Sequence, residues 1–200
     1  MTQPTEAETG RISAAAAEVY DREFVPALFG PFAELFVEAM GLMPGERVLD
    51  VACGTGAVAL AAARRMGAGA RIAAVDINPA MLAVARRKSD GIAWQEAAAE
   101  ALPYAAGRFD AVLCQFGLMF LADRSRALRE MARVTRPGGR IGLAVFETVG
   151  NSPAYDRLVP LLGRIVGPGA AAALSAPVCL GDTAAVAAEL AAAGLTAGEV

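Results

Sequence analysis

From Glu46 onward the chain alternates short apolar runs with segments of helical pattern. RVLDVA precedes GAVALAAARRM, ARIAAVD precedes PAMLAVARRK, and GIAWQEA and FDAVLCQ are followed by RSRALREMARVT and RIGLAVF. Continuous apolar runs suit strands buried on both faces, and helices of about three turns between them are the crossovers that parallel strands require. The expected fold is therefore α/β, an open, mainly parallel twisted sheet with helices on both faces. RPGG is expected to turn the helix RSRALREMARVT into the fifth strand.

The remaining segments are organised around that sheet. Residues 1–10, MTQPTEAETG, are polar and are expected to be a disordered tail ahead of a single domain over 11–200. FVPALFGPFAELFVEAM places Phe24, Leu28, Phe32, Leu35, Phe36 and Met40 as a helical stripe packed on the core and ending near Gly41 and Pro44. Residues 151–180 are broken by prolines and glycines yet rich in leucine, and read as an irregular cap over the sheet. A helix is expected from Asp182 to Ala193.

The first strand carries an acid and opens into a bare turn, VLDVACGTG. In an open parallel sheet, ligands bind beyond the carboxyl ends of the strands. Gly54 and Gly56 allow unusual backbone angles and close approach of a ligand, and the helix that follows offers unpaired amides to a negative group. The second strand ends in Asp76, a carboxylate able to accept from both hydroxyls of a ribose. Asp76 alone could equally cap the helix after Pro79. GTGAVA also satisfies the permissive dinucleotide fingerprint, so NAD competes as the ligand. Asp50 argues against it, because a carboxylate there would repel a pyrophosphate and welcome a cationic group.

Composition removes several classes. The chain has three cysteines, far apart and without zinc spacing, and no histidine. No metal site, Cys/His pair or Ser/His/Asp triad is expected, and a reducing, cytoplasmic setting is. A net charge of −3 gives no general attraction to nucleic acid. The basic clusters Arg64-Arg65 and Arg86-Arg87-Lys88 are expected at helix carboxyl ends. Mean hydropathy of +0.43 comes largely from alanine runs, and neither a signal peptide nor a membrane span is expected.

Four blocks, VLDVACGTG, AVDINPAML, AEALPYAAGRFDAVLCQFGLMFLAD and LREMARVTRPGGRI, occur in the order and spacing of class I S-adenosylmethionine-dependent methyltransferases. Over about residues 15–195 the chain most resembles their small-molecule group, which includes ubiquinone and menaquinone biosynthesis enzymes. The resemblance implies a Rossmann-like sheet with S-adenosylmethionine as cofactor and S-adenosylhomocysteine as product. It implies that Ala52, Gly54 and Gly56 line the methionine part, with Asp50 near its ammonium, and that Asp76 holds the ribose. Ile77 and Met81 would flank the adenine, and Ala99 and Glu100 would form its far wall. Gln115 and Phe116 would sit near the reactive methyl, and Tyr20 would help close the site. Met81 and Phe116 could equally be core side chains. Cys53 and Cys114 would be small wall residues.

Two departures accompany the resemblance. Ala98 stands where the family usually carries an aspartate for the adenine amino group, which predicts weaker binding unless Glu96 or Glu100 substitutes. The sixth strand and antiparallel seventh that complete the family's sheet are not evident, so either the sequence is truncated or the fifth strand's open edge is completed by a partner, such as another copy. The expected reaction is methyl transfer to a small, uncharged organic acceptor. Glu147, Asp156, Tyr155 or Tyr20 could serve as base, with none singled out. The alternatives are an NAD(P)-dependent oxidoreductase and a non-catalytic scaffold of the same fold. Asp76→Ala is expected to weaken cofactor binding with little effect on folding.

Overall fold

The alternating runs become five parallel strands in the computed structural model of the chain, which describes residues 12–196 and 198. The strands are β1 (Arg47–Val51), β2 (Arg71–Asp76), β3 (Ala93–Glu96), β4 (Phe109–Gln115) and β5 (Thr135–Ala144). Their order is β3-β2-β1-β4-β5, so the connections reverse direction between β1 and β4 and leave a crevice at the carboxyl ends of those two strands. The tail expected over residues 1–10 lies outside the described residues.

Alternation along each strand builds two core layers. Val48, Ala111 and Leu113 face a layer that includes Val37, Val58, Ala59 and Ala62, whereas Leu49, Val51, Val112 and Cys114 face Leu128 and Met131. The first layer rests on α2 (Gly30–Ala39) and α3 (Ala57–Met66), the second on α5 (Arg124–Val134). Ala59, Ala61 and Ala62 are fully buried, so α3 can lie close to the sheet. Each large aliphatic side chain buried here contributes about 1.5–3 kcal/mol. At the end of the sheet away from the crevice, Asp110 accepts from the Arg47 N–H at 2.7 Å, Arg136 Nε at 2.6 Å and Arg47 Nε at 3.1 Å. These bonds hold its carboxyl well below the usual carboxylate range and tie β1, β4 and β5 together.

RPGG is not a turn ahead of the fifth strand. Thr135 already pairs with Phe109, and Ala111 pairs with Arg140, so residues 136–139 bulge out of a strand that has begun. Gly139 is required there because a β-carbon would stand 2.9 Å from the Asp110 carbonyl oxygen.

The amino-terminal stripe also departs from its expected form. The chain forms α1 (Ala14–Val19), a π-helical segment (Tyr20–Phe29) and then α2. The wider i→i+5 winding breaks the 3.6-residue period from which the stripe was read. As a result Phe24, Phe32 and Leu35 are exposed, and Ala33 and Val37 are the residues of α2 that reach the core.

Between them α4 (Pro79–Arg86) covers the second crossover, and after β5 come α6 (Pro153–Ile165), α7 (Pro168–Ser175) and α8 (Thr183–Ala192). Asp182 caps α8 through the amides of Ala184 and Ala185. Helix α6 buries no residue, and the part of segment 151–180 that enters the core is its end, where Val178 and the following Leu180 are buried. Among the described residues no single helix is long and apolar enough to cross a membrane.

Candidate active site

Asp50 enters the core because it belongs to β1, and it is 1 % exposed. Its Oδ2 accepts from the Ala59 N–H of α3 at 3.0 Å, whereas its Oδ1 has no partner. The negative group expected at the amino end of that helix is thus the chain's own Asp50. Burial pushes its carboxyl up to about 8, the Ala59 bond opposes the rise and the charge of Asp76 adds to it.

Asp76, at the end of β2, turns toward the glycine turn. Its Oδ2 accepts from the Gly54 N–H at 2.7 Å and its Oδ1 from the Asn78 N–H at 2.8 Å. Burial raises its carboxyl above the usual range against these amide bonds. The cap of α4 is Asn78, whose Oδ1 accepts from the Ala80 and Met81 amides. Among the described residues no basic side chain pairs with Asp50 or Asp76.

The turn itself needs its glycines for two different reasons. Gly54 has φ of 55°, and a β-carbon there would meet only the Tyr20 ring, at 4.0 Å. Gly56 has φ of 88°, and its β-carbon would stand 2.5 Å from Trp94. The close approach expected of a ligand at Gly56 is made by that indole, whose Nε1 donates to the Ser89 carbonyl. Gly56→Ala should therefore destabilise the protein by about 2–4 kcal/mol in urea unfolding, through positive φ and overpacking together.

Ala52 and Phe116 are the described non-glycine residues at positive φ, 55° and 52°, at the ends of β1 and β4. They meet through Gly117, where a β-carbon would lie 2.6 Å from that of Ala52. Strain of this kind gathers at sites held by their surroundings. Phe116 stacks on Phe146 at 4.0 Å and meets Phe32 edge-on at 5.5 Å and Phe29 at 5.9 Å. Beside it Gln115 donates from Nε2 to the Phe29 carbonyl at 3.1 Å, and its buried Oε1 is unpartnered. Tyr20 stacks on Phe29 at 5.0 Å. Burial, then Asp76, Asp21 and Asp50, push its hydroxyl far above the ordinary tyrosine range, which keeps it protonated and unavailable as a base near neutral pH.

The structure thus brings together Tyr20, Gly54 and Asp76, and separately Ala52, Gln115 and Phe116. Ile77 is 41 % exposed beside Asp76, and Met81 is half-buried in the first turn of α4. Ala99 is a core residue packed with Val75 and Leu102. Glu100 directs its Oε1 to the Ala122 and Asp123 amides, at 3.1 and 3.3 Å, and holds the loop before α5. Glu96 is the register partner of Asp76 on β3. Glu147 accepts from its neighbour's amide, and the carboxyl lies below its usual range for that reason. Cys53 and Cys114 are buried and pushed up, the latter to about 12, which fits wall residues and not nucleophiles. Trp94, Asn78, Lys88 and the aromatic partners of Phe116 were not found from sequence. Of these only Asn78 left a signal, the N-cap pattern of Asn before Pro.

Residues 49–143 match the family described as methyltransferase domain. An uncharacterised protein of Mycobacterium tuberculosis is 46 % identical over 118 residues, covering 57 % of this chain and 42 % of its own length. The ubiquinone/menaquinone biosynthesis C-methyltransferase UbiE of Cellvibrio japonicus is 36 % identical over 143 residues, 65 % of this chain and 57 % of the relative. The chain spans about half the length of the curated relatives it matches.

Among solved structures, a chain from the Haloferax volcanii complex of the Trm112 methyltransferase activator with its candidate methyltransferase superposes with a TM-score of 0.70 at 22 % identity. The match covers 99 % of this chain and 80 % of that one and shows the Rossmann-like fold. The [4+2]-cyclase SpnF superposes with a TM-score of 0.51 at 32 % identity, over 57 % of this chain and 43 % of its own. The chain resembles the class I S-adenosylmethionine-dependent methyltransferases, and these relatives do not favour the oxidoreductase reading.

Proposed function

We propose that the methyltransferase domain binds S-adenosylmethionine over the Gly54 turn and transfers its methyl group to a small, uncharged organic acceptor. The observation that carries this reading is the pair of carboxylates, Asp50 and Asp76, which accept from backbone amides and, among the described residues, pair with no basic side chain. A buried acid and a half-buried one, with no counter-charge among the described residues, ionise most readily beside a cationic ligand, which a pyrophosphate is not. Asp50, with its unpartnered Oδ1, would face the ammonium end, and Asp76 would exchange its bond to the Gly54 amide for the ribose hydroxyls. Ala52, Gly54 and Gly56 would form the backbone floor, and Ile77 and Met81 would border the adenine. Ala99 would support the adenine wall from the core, and Glu100 would hold the loop that continues it.

When bound, the cofactor supplies an already electrophilic methyl group, so the chain's task is to align the acceptor and exclude water. Phe29, Phe32, Phe116 and Phe146 offer flat apolar surface beside Gln115 Oε1, which suits an uncharged acceptor bearing a hydrogen-bond donor. Tyr20 closes the site above Gly54. Helices α6 and α7, in the single domain over 11–200, would cap the acceptor side. A reducing, cytoplasmic setting fits the free cysteines, and the outer edge of β5 would accept a second copy.

Calorimetry with S-adenosylhomocysteine, S-adenosylmethionine and NAD tests the cofactor. Binding of the first two with no response to NAD is expected, and binding of NAD alone would overturn the reading. S-adenosylhomocysteine release and acceptor conversion are followed together over an acceptor panel, because a structural relative is a cyclase. Binding without turnover across the panel would favour the scaffold.

A further inference from the structure

Lys88, the chain's single lysine, follows α4 directly after Arg87, where a cation at the helix carboxyl end was all that the sequence implied. Its Nζ instead reaches two partners outside its own helix, Asp21 Oδ1 in the π-helical segment and the Thr55 carbonyl in the glycine turn at 2.9 Å. Asp21 is the neighbour of Tyr20, and Thr55 is the neighbour of Gly54, over which the Tyr20 ring lies. We propose that Lys88 is a positioning residue that latches the π-helical segment to the glycine turn and so holds Tyr20 over the bound methyl donor. The proposal rests on the cofactor reading above.

Three observations separate this latch from an ordinary surface ion pair. The side chains of Lys88 and Asp21 are only 24 % and 22 % exposed, whereas those of the neighbouring pair Arg87 and Glu18 are 58 % and 51 % exposed and, among the described residues, bond only each other. The carbonyl that Lys88 grips belongs to the turn on which the cofactor would rest, and the Thr55 hydroxyl beside it is buried without a partner. The segment being held is π-helical with Pro26 inside it, a winding that its own hydrogen bonds favour poorly and that external contacts must fix. Release of a ligand from Gly54 requires Tyr20 to move, so the latch opposes release directly.

The experiment reads the latch twice, without and with ligand. Hydrogen exchange over residues 20–29 and 53–56 of the ligand-free protein is compared among the native chain, Lys88→Met, Lys88→Arg, Asp21→Asn and Arg87→Met. S-adenosylhomocysteine dissociation is then timed by stopped flow in the same set. Lys88→Met is expected to speed exchange in both segments and to raise the dissociation rate about five- to twentyfold with a smaller change in association. Asp21→Asn should give a similar effect, and the double variant should be markedly less than additive. Lys88→Arg should restore most of the native behaviour, and Arg87→Met should leave both readouts near native.

Unchanged exchange in Lys88→Met overturns the latch whether or not ligand binds. Faster exchange with an unchanged dissociation rate overturns the positioning role. Equal effects from Lys88→Met and Arg87→Met reduce the contact to general helix packing and overturn the proposal as well. If the native chain binds no S-adenosylhomocysteine, the cofactor reading fails, while the exchange data still decide whether the segments are coupled.

Discussion

Asp50→Asn should become more stable relative to the native ligand-free protein as pH rises from 5 to 8, while its affinity for S-adenosylhomocysteine falls. In the folded chain the Asp50 carboxyl titrates near 8, against an ordinary value of 3.8. Between those limits the folded state holds a proton that the unfolded chain has released, so stability falls as pH rises and levels off above the folded value. Asparagine keeps the acceptor for the Ala59 amide and removes the charge. The change with pH is the diagnostic, because an unpartnered amide in place of Oδ1 costs about 1–3 kcal/mol at every pH. Urea unfolding at pH 5 and 8 should show the variant gaining about 2–5 kcal/mol on the native chain between the two. Binding should weaken about ten- to a hundredfold, since an ammonium would lose its charged partner. A variant equally destabilised at both pH values, with native affinity, would make Asp50 a helix anchor only.

Asp76→Ala is the second large effect, and the structure revises what the sequence implied. A carboxylate standing free at a rim would be removed with little effect on folding. Asp76 instead accepts from the Gly54 and Asn78 amides, and truncation leaves both without their acceptor. The variant should lose about 1–3 kcal/mol of stability and bind S-adenosylhomocysteine about ten- to a hundredfold more weakly. Because the Gly54 turn loosens at the same time, binding has to be compared at a temperature where the variant is fully folded. Native affinity in a folded variant would remove Asp76 from the site.

These two acids show how far the chain could be read before its structure. The apolar runs needed only local pattern and burial, so the first four strands and the helices between them fall where the sequence implied, whereas the fifth begins earlier, at Thr135. Asp50 and Asp76 were visible because an acid at the end of a buried strand is unusual. Their partners were not, since Ala59 and Gly54 bond through backbone amides that no side-chain pattern records. The π-helical winding of residues 20–29 was hidden because its pitch departs from the period used to recognise helices. Trp94 against Gly56 and Lys88 against Asp21 are contacts between segments distant in sequence, which spacing alone does not reveal. The bulge at 136–139 looked like a turn because Pro and Gly favour both.

The central claim is that a cationic methyl donor lies on the turn between β1 and α3, gripped by acids at its amine and sugar ends. A crystal structure with S-adenosylhomocysteine tests it directly. Density over Gly54, with the ribose hydroxyls on Asp76 and the ammonium toward Asp50, is the predicted result. Density anywhere else, with Asp76 still bonded to the Gly54 amide, would contradict it.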